Sequence, residues 1–239
     1  MRLSMSAATV SSGFNGLYVV PEVARFLRAG ADTAPEGGGA VSLPRPRRLL
    51  AWVRRGMALP ELAQVAGREL LLTFEDLISL RFVSLLRDAG YSLKHIRKAE
   101  DWLRQQTGDP RPFATRDVWK GKFRRELYVH LGGDLVSASK QGQHVFKFWE
   151  DEVELILEHR RLDFDARGLA RCWQPYPEVT LEPDVQFGAP CVTGTRIPTS
   201  AIAGMVKAGD TISYVARSYG LAEATVERAL EWEERLLAA

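Results

Sequence analysis

The stretch Asp210-Thr-Ile-Ser-Tyr-Val-Ala-Arg-Ser-Tyr-Gly-Leu-Ala-Glu-Ala-Thr-Val226 decides how this chain reads. Asp210 is placed to cap a helix that starts at Thr211. Val215, Ala216 and Tyr219 recur at helical spacing and give that helix one apolar face. Gly220 supplies the left-handed residue that ends it. A second helix is predicted over Ala222–Leu237, with Val226, Ala229, Leu230, Glu233 and Leu237 on the same period. A small residue at Ala216, a Gly four positions later and Val226 six further on is the spacing of a helix-turn-helix. The small side chain lets two helices cross closely and the Gly makes the tight turn.

The predicted second helix carries Glu223, Glu227, Glu231, Glu233 and Glu234 against Arg228 and Arg235. Duplex phosphates would repel such a face. This helix-turn-helix is therefore expected not to read DNA but to meet protein, through dimerisation, a partner chain, or both. Tyr214, Tyr219, Trp232 and Leu236 are the candidate anchors for partner or dimer contact; the alternative is that they close the region's own core. Upstream, Thr193-Gly-Thr-Arg196 reads as structural. Gly194 is expected to take the positive φ of a turn, and Arg196 to tie down a carbonyl or carboxylate.

At the front, Leu17-Tyr-Val-Val-Pro-Glu-Val-Ala-Arg-Phe-Leu27 opens a helix at Pro21, where a missing N–H costs nothing. Val23, Ala24 and Leu27 form its buried face. Gly30 to Leu43 reads as a disordered loop. Then comes Pro44-Arg-Pro-Arg-Arg-Leu-Leu-Ala-Trp-Val-Arg-Arg-Gly56, five arginines without one acid. Leu49, Leu50, Trp52 and Val53 are expected to face inward, and Arg45, Arg47, Arg48, Arg54 and Arg55 outward. Gly67 to Leu72 is extended and reads as a hairpin wing carrying Arg68. Thr73 with Asp76 resembles a capping box opening a helix that carries Leu77, Leu80, Phe82, Leu85 and Leu86 and stops at Asp88-Ala-Gly90. Ser92 caps a further helix through Gln106, with Ile96, Ala99 and Leu103 inward.

The middle has a different texture. Glu126 to Leu131 alternates, Gly132-Gly133 is a two-residue hairpin loop, and Asp134 to Ser137 resumes. A turn at Gln141-Gly142 leads into His144 to Phe148. Leu162 to Asp165 and Leu169 to Trp173 form a second hairpin. The expectation is one small antiparallel sheet, with Glu152 to His159 open between strand and helix. Trp119, Phe146, Trp149 and Trp173 are read as core rather than as the walls of a ligand pocket.

Charge is distributed unevenly. Residues 1–109 carry a net +4, residues 110–175 a net +2 and residues 176–239 a net −4. A basic front and an acidic rear point to two different partners. Five guanidiniums on one short helix repel one another unless an anion meets them, and Arg forks fit phosphate bidentately. Arg45, Arg47, Arg48, Arg54, Arg55 and Arg68 are the candidate DNA contacts, with the helix in the major groove and the wing on the backbone. No apolar run is long enough to span a membrane. The start lacks the apolar core of a secretory signal, so a cytoplasmic location is expected.

Catalysis and cofactors find little support. Cys172 and Cys191 are the only cysteines, and lack both Cys-x-x-Cys spacing and paired histidines. Neither a metal nor a redox site is expected. A nucleophilic Cys191 would need a lowered pKa, and only Arg196 lies near it in sequence. Asp163 and Asp165 sit two apart on a strand, where a solvent-facing pair explains them better than acid–base chemistry. His95, His130, His144 and His159 lie on separate elements. No Gly-rich phosphate loop follows a strand, and no Ser is framed as Gly-x-Ser-x-Gly.

Two resemblances join these parts. Tyr18 to about Thr107, with its Arg-rich helix ending in Trp and then Thr-Phe-Glu-Asp-Leu77 and Leu-Arg-Asp-Ala-Gly-Tyr-Ser-Leu-Lys-His-Ile96, is similar to the MerR-type winged helix-turn-helix. Phe187-Gly-x-Pro-x-x-x-Gly-Thr-Arg-Ile-Pro-Thr199, followed by the rear helix-turn-helix, looks like the DUF-type domain of VapB-like antitoxins, over about Pro177 to Leu237. The whole resembles the antitoxin half of a VapBC-type toxin–antitoxin pair. The resemblance implies a PIN-domain ribonuclease as partner and repression of the shared operon through operator double-stranded DNA. The expected fold is α+β and mostly α. It comprises a winged helix-turn-helix (17–109), a small antiparallel β region (110–176) and a helix-turn-helix bundle (177–239). The expected protein is non-catalytic, homodimeric and without cofactor. A stand-alone regulator holding an effector between aromatics is the alternative.

Overall fold

The computed structural model describes residues 16–30, 44–56, 70–88, 91–119 and 161–239, and the backbone alone of strands at 122–123, 127–131, 134–137 and 143–144. The fold is α+β and mostly helical, with antiparallel sheets.

The front half is built around α3 (Phe74–Asp88). Phe74, Leu77, Ile78, Leu80, Phe82, Val83 and Leu86 are all buried, so this helix is apolar on more than one side and forms the centre of the core. Its start is the expected capping box. The Thr73 N–H donates to Asp76 Oδ2 (3.0 Å) and the Asp76 N–H to Thr73 Oγ1 (3.3 Å). Around it lie β1 (Tyr18–Val19), α1 (Val20–Ala29), α2 (Pro46–Arg54), β2 (Leu71–Leu72) and α4 (Leu93–Thr107). Pro21 stands in the first turn of α1, and Val23, Ala24 and Leu27 are buried as expected. Ser92 caps α4 by accepting from the His95 N–H (3.2 Å), and Ile96, Ala99 and Leu103 face inward. Leu71 and Leu72 are extended, but their partner is β1: Tyr18 pairs Leu72 and Val19 pairs Leu71. Of the loop expected over Gly30 to Leu43 all but Gly30, and of the expected wing Gly67, Arg68 and Glu69, lie outside the described residues.

One buried group on α4 gives a pH-dependent prediction. Glu100 is 1% exposed; its Oε1 accepts from Arg104 Nη2 (2.6 Å), while Oε2 has no partner among the described residues. Burial pushes its carboxyl from 4.5 up to about 8, against the pull of Arg104 and with a further push from Asp101. A raised acid binds its proton more tightly folded than unfolded. Its contribution to stability is therefore full below pH 4.5 and is lost as pH rises towards 8. Glu100→Gln keeps the acceptor for Arg104 and removes the titration. Thermal melts are expected to place this variant above the parent at pH 8, with the gap closing as pH falls.

Beyond α4, a 3-10 turn at Pro112–Ala114 and the short α5 (Arg116–Trp119) lead to β3 (Lys122–Phe123), β4 (Leu127–Leu131), β5 (Asp134–Ser137) and β6 (Gln143–His144). These make an antiparallel sheet in which Leu131 pairs Asp134, the register a two-residue hairpin loop requires. A second four-stranded sheet, not foreseen as separate, runs β10-β9-β8-β7. It comprises β7 (Leu162–Phe164), β8 (Ala170–Tyr176), β9 (Val179–Leu181) and β10 (Cys191–Val192). Tyr176 pairs Val179, so a division at 176/177 falls inside a β-hairpin. Phe146, Trp149 and Glu152 to His159 lie outside the described residues.

The rear ends in three helices, α6 (Thr199–Lys207), α7 (Ile212–Tyr219) and α8 (Glu223–Ala238). Thr211 caps α7 in place of Asp210, accepting from the Tyr214 N–H (3.2 Å). Asp210 belongs to the close of α6, where its own N–H donates to the Met205 carbonyl (3.1 Å). Gly220 ends α7 in the left-handed region, φ 65°. Ala216 and Val226 meet in a small core with Val192, Ile202, Val215 and Ala229. The apolar stripe of α8 is Val226, Ala229 and Trp232; Leu237 is 88% exposed, against expectation. No helix among the described residues is long and apolar enough to cross a membrane.

Candidate nucleic-acid interface

The geometry of α2 follows from its residues. Pro46 opens it with φ already helical, and the Arg48 and Leu49 N–H groups donate to the Arg45 carbonyl (2.9 and 3.1 Å). Leu49, Trp52 and Val53 are buried, and Leu50 is half-buried against the same core. That places Arg45, Arg47, Arg48, Arg54 and Arg55 outward, and all five are exposed. The Arg48 guanidinium lies 5.9 Å from the Trp52 ring centroid, which holds its stem against the helix. Arg54 and Arg55 favour the negative end of the helix dipole. Arg45, Arg47 and Arg48 crowd the positive end, with no acid in the first turn to offset them. An anion at that end would relieve all three.

Sequence reading missed the continuation of this surface. Lys94, His95, Arg97 and Lys98 are exposed on α4, and 94, 97 and 98 share one helical face. Arg97 Nη2 stands 3.8 Å from where a Cβ on Gly56 would lie, so the α4 face adjoins the end of α2. The signal in the sequence is the i, i+3, i+4 spacing of these cations, opposite the inward positions of the same helix.

The rear anchors separate into two pairs. Tyr214 and Tyr219 are 51% and 36% exposed. Trp232 is fully buried and Leu236 is half-buried against the same core. Of the two readings left open for it, Trp232 takes the core one: it stacks with Phe26 of α1 (6.5 Å) and lies 6.3 Å from Tyr176. On α8, Glu223, Glu227 and Glu234 are exposed and Glu231 and Glu233 half-buried. Glu233 is occupied, accepting from the Thr199 hydroxyl. Gly194 has the expected positive φ of 73°. The Arg196 side chain is exposed, and the interaction at this residue is its carbonyl accepting from Gln186 Nε2 (3.0 Å).

The remaining candidates are structural where described. Burial, then Glu182, pushes the Cys191 thiol up to about 11; burial, then Glu182 and Asp163, pushes Cys172 up to about 12. Neither thiol ionises near neutral pH. Asp163 is exposed, whereas Asp165 accepts from the N–H groups of Leu169 (2.8 Å) and Arg167 (2.9 Å) and closes the β7–β8 turn. Burial opposes ionisation of Asp165, but those amides and the Arg167 guanidinium outweigh it and hold the carboxyl below its ordinary range. Trp119 and Trp173 are core, with the Arg81 guanidinium between them at 5.2 and 4.9 Å. A cleft of about 300 Å³ beside Leu103, Thr107, Asp109, Arg116 and Arg167 has no aromatic wall. No group of three or more His, Cys, Asp or Glu among the described residues could hold a metal.

Comparison with known proteins matches residues 45–101 to the MerR HTH family regulatory protein model and residues 179–232 to DUF433, a family of unknown function. The curated relative named "Putative antitoxin VapB45" of Mycobacterium tuberculosis is 26% identical over 236 residues, spanning 90% of this chain and 92% of its own. A transcriptional regulator of the helix-turn-helix type from the same organism, Rv1830, is 39% identical over 62 residues, 25% of this chain and 28% of its own. The crystal structure of Rv2018 from M. tuberculosis shares the fold, with a TM-score of 0.62 at 22% identity, covering 90% of this chain and 96% of that one. Over nearly its whole length the chain is thus similar to a protein named "Putative antitoxin VapB45", and it matches a MerR-family helix-turn-helix model in front and the DUF433 model behind.

Proposed function

We propose that this protein is the antitoxin of a type II toxin–antitoxin pair, which neutralises a PIN-domain ribonuclease by direct binding and represses its own operon by binding operator DNA. The names of its relatives support the coarser statement, an antitoxin or DNA-binding regulator with no enzymatic role. The observation that carries the DNA half is the guanidinium face of α2, three of whose cations crowd a helix N-terminus. Arg45, Arg47, Arg48, Arg54 and Arg55 take phosphates and base edges, Arg68 belongs to the same set, and Lys94, Arg97 and Lys98 extend it. The acidic face of α8, which phosphates would repel, serves with Tyr214 and Tyr219 as a protein surface: for the toxin, a second copy in a homodimer, or both. The protein works in the cytoplasm, where both its partners reside.

Co-expression with the neighbouring reading frame, followed by affinity capture at moderate salt, tests the toxin half. A stoichiometric complex whose ribonuclease activity is suppressed is expected; a neighbour that is not retained sinks it. The match to a MerR-family model and the likeness to Rv1830 favour a second reading, a regulator responding to a small ligand without a toxin. Operator binding in the absence of any captured nuclease is its signature.

A further inference from the structure

Helix α1 packs against α2 and also against α8 at the rear of the chain. Trp232 of α8 stacks on Phe26, and Arg235 Nη1 donates to the Ala29 carbonyl (3.1 Å), the last residue of α1. A guanidinium there satisfies an unpaired C-terminal carbonyl and meets the negative end of the dipole. The same guanidinium lies 4.6 Å from the Tyr176 ring centroid. The Tyr176 hydroxyl donates to Glu231 Oε2 (2.7 Å), which also receives Arg228 Nη1 (2.6 Å). At the other end of α1, the Tyr18 hydroxyl donates to the Gly188 carbonyl (3.1 Å). There is no slack in this seam. A Cβ on Gly30 would come within 2.8 Å of Pro175 and 2.9 Å of Trp173, and one on Gly188 within 2.0 Å of the Tyr18 hydroxyl.

We infer that the rear of the chain holds α1, and through it α2, in the attitude that meets DNA, with Arg235 and Tyr176 as positioning residues that never touch the duplex. This rests on the DNA-binding reading above. The contacts run unbroken from the half-exposed Arg228–Glu231 pair on the surface of α8 to the end of α1. A protein that engages Glu231 therefore alters the hold on α1, and binding linkage makes the effect reciprocal: DNA alters affinity for that protein.

The test uses the full chain and a labelled duplex from upstream of its own gene. Arg235→Ala is expected to weaken DNA binding about fivefold or more. Amide exchange is expected to quicken in α1 and α2 while α3 stays protected. Arg235→Lys, which returns a cation to the same carbonyl, is expected to recover most of the affinity. Tyr176→Phe, which keeps the ring and drops only the hydroxyl, gives a smaller loss in the same direction. A parent that binds and an Arg235→Ala that binds equally overturns the inference and leaves the DNA reading standing. So does a loss of affinity with exchange raised uniformly, which marks general destabilisation. A parent that does not bind the duplex overturns both.

Discussion

Trp232→Ala is expected to destabilise the protein by about 3–5 kcal/mol, the usual range for removing a fully buried tryptophan. For a chain of 239 residues that corresponds to a fall in melting temperature of roughly 6–20 °C. The ring fills the space between Phe26 and Tyr176, so its loss opens a cavity on the seam between front and rear. The indole N–H has no hydrogen-bond partner among the described residues. Trp232→Phe, which keeps one aromatic ring in place and discards the unpaired donor with the rest of the indole, is therefore expected to lose less than the alanine variant. Near-ultraviolet circular dichroism through a thermal ramp reads both. An alanine variant that melts with the parent would mean that the ring is not packed as described.

The second large effect is on DNA. Arg47→Ala with Arg48→Ala is expected to weaken binding on every sequence tried and to flatten its salt dependence by about two units of slope. On that relation each lost phosphate contact is worth roughly eightfold at ~0.1 M salt. Both side chains are exposed, so stability is expected to change little. Arg48 also covers Trp52, and Arg48→Ala alone carries whatever small cost that cover represents. Fluorescence anisotropy at several salt concentrations separates the outcomes. An unchanged slope removes these two arginines from the phosphate contacts.

Local signals in the sequence proved legible wherever a single short-range interaction decides the structure. The Thr73–Asp76 capping box, the Ser92 cap, Pro21 at a helix start, Gly220 at a helix end and the register of Leu131 against Asp134 all appear. The outward arginines of α2 were legible for the same reason: Leu49, Trp52 and Val53 fix its inner face. Failures came where long-range contacts decide. Trp232 stayed open between core and an anchor for another chain because its partner, Phe26, lies two hundred residues away. Leu71 and Leu72 looked like half a hairpin because Tyr18 and Val19, their true partners, precede two helices. Asp210 has the side chain of a cap for α7, but its N–H closes α6 on Met205, a contact that only the presence of α6 reveals, and Thr211 caps α7. The cations of α4 do show their i, i+3, i+4 spacing in the sequence, but only the nearness of Arg97 to Gly56 joins them to α2.

The bond between Arg235 and Ala29 joins residues 206 apart. During synthesis, at about 5–20 residues per second, α1 leaves the ribosome roughly ten to forty seconds before the helix that covers it. Through that interval Phe26 and the end of α1 lack their cover, exposed to chaperones and proteases alike. Nascent chains at this stage are expected to be short-lived.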